Sequence, residues 1–256
     1  MLPCRTATCH LAVTTVLSMD STGVALVSAR PAVFELNPST SAVIVVDMQN
    51  DFVSPMGMFD RLGIPLGIVR AAIEPTRRVL EAARRAGMFI VYLAMQFDEN
   101  LSNMGSPNAP NRVRHLLAGV GEEVAAPDGG TGRLLISNTW NTKIIDELAP
   151  DPGDVVIAKH RFSGFFETEL DAVLKARGIE SIVFTGCTTS VCVESTFRDA
   201  YFRDYRCLLL TDCCAEPIGG TEARTNHDAT VTLIEAMLGW TSTSDVLLGA
   251  LAPETR

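Results

Sequence analysis

SIVFTGCTTSVCVEST, residues 181–196, reads as a short apolar strand that runs into small hydroxyl residues and then into the start of a helix. A strand of this kind has no polar alternation, so it is expected to be covered on both faces. The same unit recurs along the chain. Strands are expected at Ala42–Val46, Met88–Leu93, Val155–Lys159, Ser181–Thr185 and Cys207–Thr211. Helical periodicity is expected at Ile73–Ala86, Thr168–Arg177, Cys192–Asp204 and Glu222–Met237. Gly87 and Gly178 stand just past two of these helices, where a left-handed cap favours glycine. Alternating strands and helices predict an α/β fold: a three-layer, doubly wound sandwich with a mainly parallel central sheet flanked by helices. Such sheets bind ligands at the carboxyl ends of their strands. Two long polar stretches, Gln96–Asp128 and Gly129–Trp140, are expected to be loops that serve as lids, binding loops or oligomer contacts.

The composition narrows the function classes. The chain has 256 residues, 47% of them hydrophobic, and a formal net charge of -9 from 21 basic and 30 acidic residues. Without a basic stripe, this balance disfavours nucleic acid and anionic membrane, and leaves small molecules and proteins as partners. No apolar run reaches the roughly 18 residues needed to cross a bilayer. The run Leu11–Leu17 is too short and too rich in threonine for a convincing secretion signal. Residues 1–36 are therefore expected to be a disordered extension, with Met19 an alternative start, and 37–256 to be the folded domain. Seven cysteines with no zinc-knuckle spacing fit free thiols in a reducing, cytoplasmic setting.

Three groups of different chemistry fall at strand ends: Asp47 after the first strand, Lys159 at the end of the third, and Cys192 at the helix start after the fourth. Each also has a plain structural reading. Asp47 could cap a helix, Lys159 could be surface charge, and Cys192 could be a small core hydrophobe. Their convergence on one sheet edge is not what core packing predicts. A helix start lowers a thiol pKa, a neighbouring carboxylate can shuttle the thiol proton, and a lysine can hold that carboxylate ionised. Backbone amides in the Thr188–Ser190 turn could bind an oxyanion.

Taken with "AVIVVDMQNDF", "VIAKHRFSGFFETELDAVLKARGIESIVFTGCTTSVCVESTFRDAYFRDY" and "LLLTDCCAE", the chain resembles the isochorismatase-like cysteine hydrolases, the nicotinamidase-related family, from about Ala42 to Leu251. The resemblance implies a catalytic triad of Asp47, Lys159 and Cys192, and a cis peptide at Cys187-Thr188. It also implies an oxyanion hole from the Thr188 and Cys192 amides. Cys192 implies C–N bond hydrolysis, because the isochorismatases proper lack this cysteine. The metal-holding histidines of nicotinamidases are missing after the second strand. Only Asp98 and the more distant His115 are present, so no metal and no cofactor are expected.

Within the family, "GSPN" (105–108), "SNTWNTKIIDELAPDPGD" (137–154) and "RFSGFFETELD" (161–171) are similar to the branch that opens ureidoacrylate in pyrimidine breakdown. "LLLTDCC" and "AIEPTRRVL" are similar to hydrolases of biuret and related ureides. The resemblance implies an amidohydrolase for a small linear ureido or carbamoyl amide, most closely of the ureidoacrylate type, with biuret or a related ureide as the alternative. It also implies a homo-oligomer, dimer or tetramer. Candidate substrate-binding residues are Gln49, Phe52, Asn108, Arg112, Asn138, Trp140 and Phe162. Phe162 stands where that branch has tyrosine. Two other classes stay open: a non-catalytic, carrier-like binding module, and a thiol redox protein using Cys187 and Cys192 or Cys213 and Cys214. Neither cysteine pair has C-x-x-C spacing.

Overall fold

The structure is a computed structural model that describes residues 23–127, 129–219 and 223–252. Its centre is a six-stranded sheet: β1 (Ser41–Val46), β2 (Phe89–Met95), β3 (Val155–Lys159), β4 (Ser181–Cys187), β5 (Arg206–Ala215) and β6 (Trp240–Ser242). The order is β6-β5-β4-β1-β2-β3, and every neighbouring pair is parallel. The chain winds outward from β1 through β2 to β3, then outward in the other direction from β4. The winding reverses between β1 and β4, and a crevice forms at such a point.

The larger helices are α1 (Ile73–Arg85), α2 (Pro110–Leu117), α3 (Leu170–Ala176), α4 (Glu194–Tyr201), α5 (Asn226–Leu233) and α6 (Ser244–Leu251). Alternate residues of each strand feed opposite faces of the sheet. Val43, Val45, Ile90, Tyr92, Val183 and Leu208 pack with Val79 and Leu80 of α1 and Leu247 of α6. Ala42, Ile44, Val46, Val91, Ile182 and Phe184 pack with Leu170 and Leu174 of α3 and Phe197 of α4. β1 is buried along its whole length, and each large aliphatic side chain so buried contributes about 1.5–3 kcal/mol. Gly87 and Gly178 both take positive φ, 75° and 62°, just past α1 and α3.

The structure departs from the sequence expectations in several places. Residues 25–36 are not a disordered extension. Ala25–Val27 and Phe34–Leu36 form an antiparallel ribbon, and Phe34 packs edge-on against Trp240 at 5.2 Å. Arg30 exchanges two backbone hydrogen bonds of 2.9 Å with Thr241, which fastens the ribbon to β6. Phe34 finds its aromatic partner, Trp240, only once β6 is in place. The secretion signal weighed at Leu11–Leu17 and the alternative start at Met19 lie outside the described residues. β6 itself carries no sequence signal, because three residues are too few for a periodic pattern. α2 stands inside a stretch whose composition predicts a loop, and it opens on Pro110 at its first position. The helix expected from Cys192 opens instead with a wide π turn, Thr189–Val193, ahead of α4. Among the described residues no helix is long and apolar enough to cross a membrane.

Gly186 fits β4 against β1 at the reversal point. Its φ is +112°, and a Cβ built there would lie 2.1 Å from the Val46 carbonyl oxygen. Gly186→Ala combines backbone strain with a backbone clash, and is expected to lower stability by more than about 3 kcal/mol in urea unfolding. A loss below about 1 kcal/mol would show that the two strand ends separate easily.

Candidate active site

Asp47 leaves β1 in the left-handed region, with φ 51°. Aspartate tolerates this conformation better than most residues, because its short side chain can hydrogen-bond locally. The Asp47 amide donates to the Leu93 carbonyl at 2.9 Å, and the Met95 amide donates to Asp47 Oδ1 at 3.0 Å. The carboxylate is thereby fixed over the end of β2, with only 1% of the residue exposed.

Lys159 comes from the edge strand β3, paired with Met95 of β2. Its side chain is fully buried, against the usual behaviour of lysine. The ammonium reaches across the end of β2 and donates to Asp47 Oδ2 at 2.7 Å, and to the Arg161 carbonyl at 3.3 Å. Burial alone would push this ammonium down. The facing Asp47 carboxylate and the Cys192 thiol outweigh that and hold it above its ordinary value.

Cys192 sits in the π turn, 8% exposed, against the same two groups. Its thiol is not depressed as a helix start predicts. Burial first, and the Asp47 carboxylate second, push it up, with Lys159 opposing. The helix start is also already occupied. Glu216, buried at the end of β5, accepts the Ser190 amide at 2.7 Å and the Ser190 hydroxyl at 2.5 Å. A carboxylate on these donors offsets the positive end of the turn. Cys187 is placed differently. Its thiol donates to the Asp47 carbonyl at 3.2 Å, and burial holds it well above the ordinary thiol range. The Cys187-Thr188 peptide bond is cis, where the resemblance implies it.

Asp47, Cys187 and Cys192 border a mostly apolar cavity of about 450 Å³. Of the candidate binding residues, Phe52 and Phe162 line it, along with Thr188, and so do Met58, Phe59, Met95, Arg114, His115, Leu135 and Ile218. The other five candidates do not border it. Gln49 is buried within the framework, with its amide donating to the Met95 and Thr142 carbonyls at 3.0 and 2.8 Å. Arg112 donates to the Leu101 carbonyl at 3.0 Å. Trp140 offers its carbonyl to Asn50 at 2.8 Å. Asn108 and Asn138 are exposed. Asp51, adjacent in the "DMQNDF" motif, is also a framework group: it accepts from the Met58 and Leu135 amides and the Asn141 side chain. Burial raises its pKa even so. Among the described residues no three His, Cys, Asp or Glu side chains gather as a metal site.

The structure is a doubly wound α/β fold with a thiol, a carboxylate and an ammonium gathered at the reversal of its sheet. Residues 41–246 match the Isochorismatase domain, and the chain belongs to that family of hydrolases. It is 38% identical over 238 residues, 92% of this chain and 97% of the relative, to ureidoacrylate amidohydrolase RutB of Caulobacter segnis. A cysteine hydrolase from Pseudomonas syringae pv. phaseolicola shares 30% identity and superposes with a TM-score of 0.71, covering 88% of this chain and 96% of that one. N-carbamoylsarcosine amidase from Thermoplasma acidophilum shares 28% identity with a TM-score of 0.58, covering 80% and 97%.

The raised Cys192 thiol makes a prediction about pH. A group pushed up stays protonated through the ordinary thiol value of about 8.5. Alkylation of Cys192 by iodoacetamide, followed by peptide mass, is expected to be slower than that of free cysteine at pH 8 and to rise without a plateau to pH 10. Lys159→Met should slow it further. A plateau below pH 8 would indicate a standing thiolate and contradict this electrostatic picture.

Proposed function

We propose that the chain is an amidohydrolase that cleaves a carbon–nitrogen bond of a small linear ureido or carbamoyl amide of the ureidoacrylate type. The observation that carries this reading is the buried Asp47–Lys159 pair set against Cys192 on the wall of a mostly apolar cavity. Core packing gives no reason to bury two opposite charges beside a thiol, whereas acyl transfer uses all three. The names of two relatives, a ureidoacrylate amidohydrolase and an N-carbamoylsarcosine amidase, support the ureido or carbamoyl carbon as the point of attack.

In this mechanism Asp47 takes the Cys192 proton as the sulfur attacks the ureido carbonyl carbon. No standing thiolate is needed, which suits a thiol held protonated at rest. The Thr188 and Cys192 backbone amides bind the developing oxyanion. Asp47 then returns the proton to the substituted ureido nitrogen as its bond to the carbonyl carbon breaks and the amine departs, leaving a carbamoyl thioester (a thiocarbamate) on Cys192. Water, deprotonated by Asp47, cleaves that thioester and restores the thiol. Lys159 keeps a fixed positive charge beside Asp47 throughout, in surroundings where few waters screen it. The second cysteine, Cys187, stays committed to the Asp47 carbonyl and takes no part.

The test is a panel assay of ammonia release from ureidoacrylate, biuret, carbamoyl amino acids and nicotinamide. Ureidoacrylate is expected to be turned over fastest. Cys192→Ala is expected to lower kcat by at least about 10⁴-fold, as nucleophile removal does elsewhere, with the unfolding midpoint unchanged. Cys187→Ala should keep a large part of the rate. Full activity in Cys192→Ala, or turnover of nicotinamide alone, would overturn the assignment.

A further inference from the structure

Two polar groups on α2 face the cavity apart from the thiol and the carboxylate. The His115 ring is buried between Phe97 at 5.0 Å and Phe162 at 5.7 Å. Its Nδ1 lies 2.7 Å from the Asn111 carbonyl oxygen. A carbonyl can only accept, so Nδ1 carries the proton, and Nε2 is left as an acceptor with no partner among the described residues. Burial holds the ring below its ordinary pKa and so neutral.

Arg114, the preceding residue, also lines the cavity and borders an adjoining surface cleft that it shares with Phe162. It is exposed, and its guanidinium pairs with no carboxylate among the described residues. Other arginines nearby are committed: Arg198 pairs with Glu194 at 2.8 Å, and Arg161 donates to the Asn103 carbonyl at 2.9 Å. Among the described residues, Arg114 is therefore an uncommitted cation at the mouth of a cavity whose other walls are mostly apolar.

We propose that Arg114 and His115 set the substrate class as linear ureides that end in a carboxylate, with Arg114 taking the carboxylate and His115 Nε2 accepting a ureido N–H. A guanidinium matches a carboxylate with two parallel N–H bonds, and neither a neutral amide nor a second ureido group offers that pairing. A single neutral acceptor suits an N–H donor and would orient the ureido plane toward Cys192. The inference rests on the amidohydrolase reading for which bond breaks, but it can be tested without turnover.

The experiment is calorimetric binding to the Cys192→Ala protein, using ureidoacrylate and its uncharged amide, ureidoacrylamide. The acid is expected to bind on the order of 10- to 100-fold more tightly, the worth of one hydrogen bond to a charged group. Arg114→Gln, at an exposed position, should remove most of that preference and leave the amide unchanged. His115→Phe should weaken both ligands alike, and His115→Gln should restore part of the loss. Equal affinity for acid and amide overturns the proposal, as does binding of neither, or an Arg114→Gln loss shared equally by both. Failure of the unmodified chain to turn over any ureide would instead sink the amidohydrolase reading, and the binding data would still decide this one.

Discussion

The buried contact between Lys159 and Asp47 constrains the carboxyl edge of the sheet more than any other interaction. The two residues are 112 positions apart in sequence and are joined at 2.7 Å with almost no exposed surface. Removing two charges from water costs several kcal/mol per ion, and Coulomb attraction recovers this only where the remaining polar atoms are also bonded. Here they are. Met95 donates its amide to the other Asp47 oxygen, the Arg161 carbonyl accepts from the ammonium, and Gln49 ties down the end of β2 between them. Deleting either partner would strand a buried charge, at about 3–5 kcal/mol. The pair therefore fixes the ends of β1, β2 and β3 relative to one another, and the Cys192 thiol from the π turn after β4 lies against it.

The thiol's environment follows from the same constraint. Burial first and the neighbouring carboxylate second hold the proton on the Cys192 sulfur, against what a helix start offers. Glu216 occupies the Ser190 amide and hydroxyl at the start of the turn. The proton is thus kept on sulfur beside the Asp47 carboxylate, with the Lys159 ammonium against both groups. In the mechanism proposed above, a substrate filling the mostly apolar cavity would leave few waters to compete for these charges.

The parallel sheet and its three chemistry-bearing strand ends are legible in the sequence, because continuous apolar runs and glycine caps are local signals. Other features depend on contacts that no short window contains. β6 is three residues long and is defined by its pairing with β5. The ribbon at Ala25–Leu36 is held by Arg30 on Thr241 and Phe34 on Trp240. Of the candidate binding residues, Phe52 and Phe162 border the cavity and five lie away from it. The Gln49 amide is bonded to the framework, Arg112 donates to the Leu101 carbonyl, and Trp140 holds Asn50 through its backbone carbonyl. Arg114 and His115 lie in a stretch whose polar composition predicts a loop. The signal that locates them is Pro110 opening a helix, which places positions 114 and 115 one turn on, facing the strand ends. Glu216 is visible at the end of "LLLTDCCAE", yet its bond to Ser190 joins two strand ends that only the sheet brings together.

The central claim is that Cys192 forms the covalent bond to the substrate carbon. The most direct measurement is rapid acid quench of the wild-type chain turning over ureidoacrylate, followed by peptide mass mapping of every cysteine. The expected result is a carbamoyl group on the Cys192 peptide that appears before free product and decays at the turnover rate, with none on Cys187. A carbamoyl group on another cysteine, or steady turnover in a Cys192→Ala chain with no adduct on any residue, would contradict it.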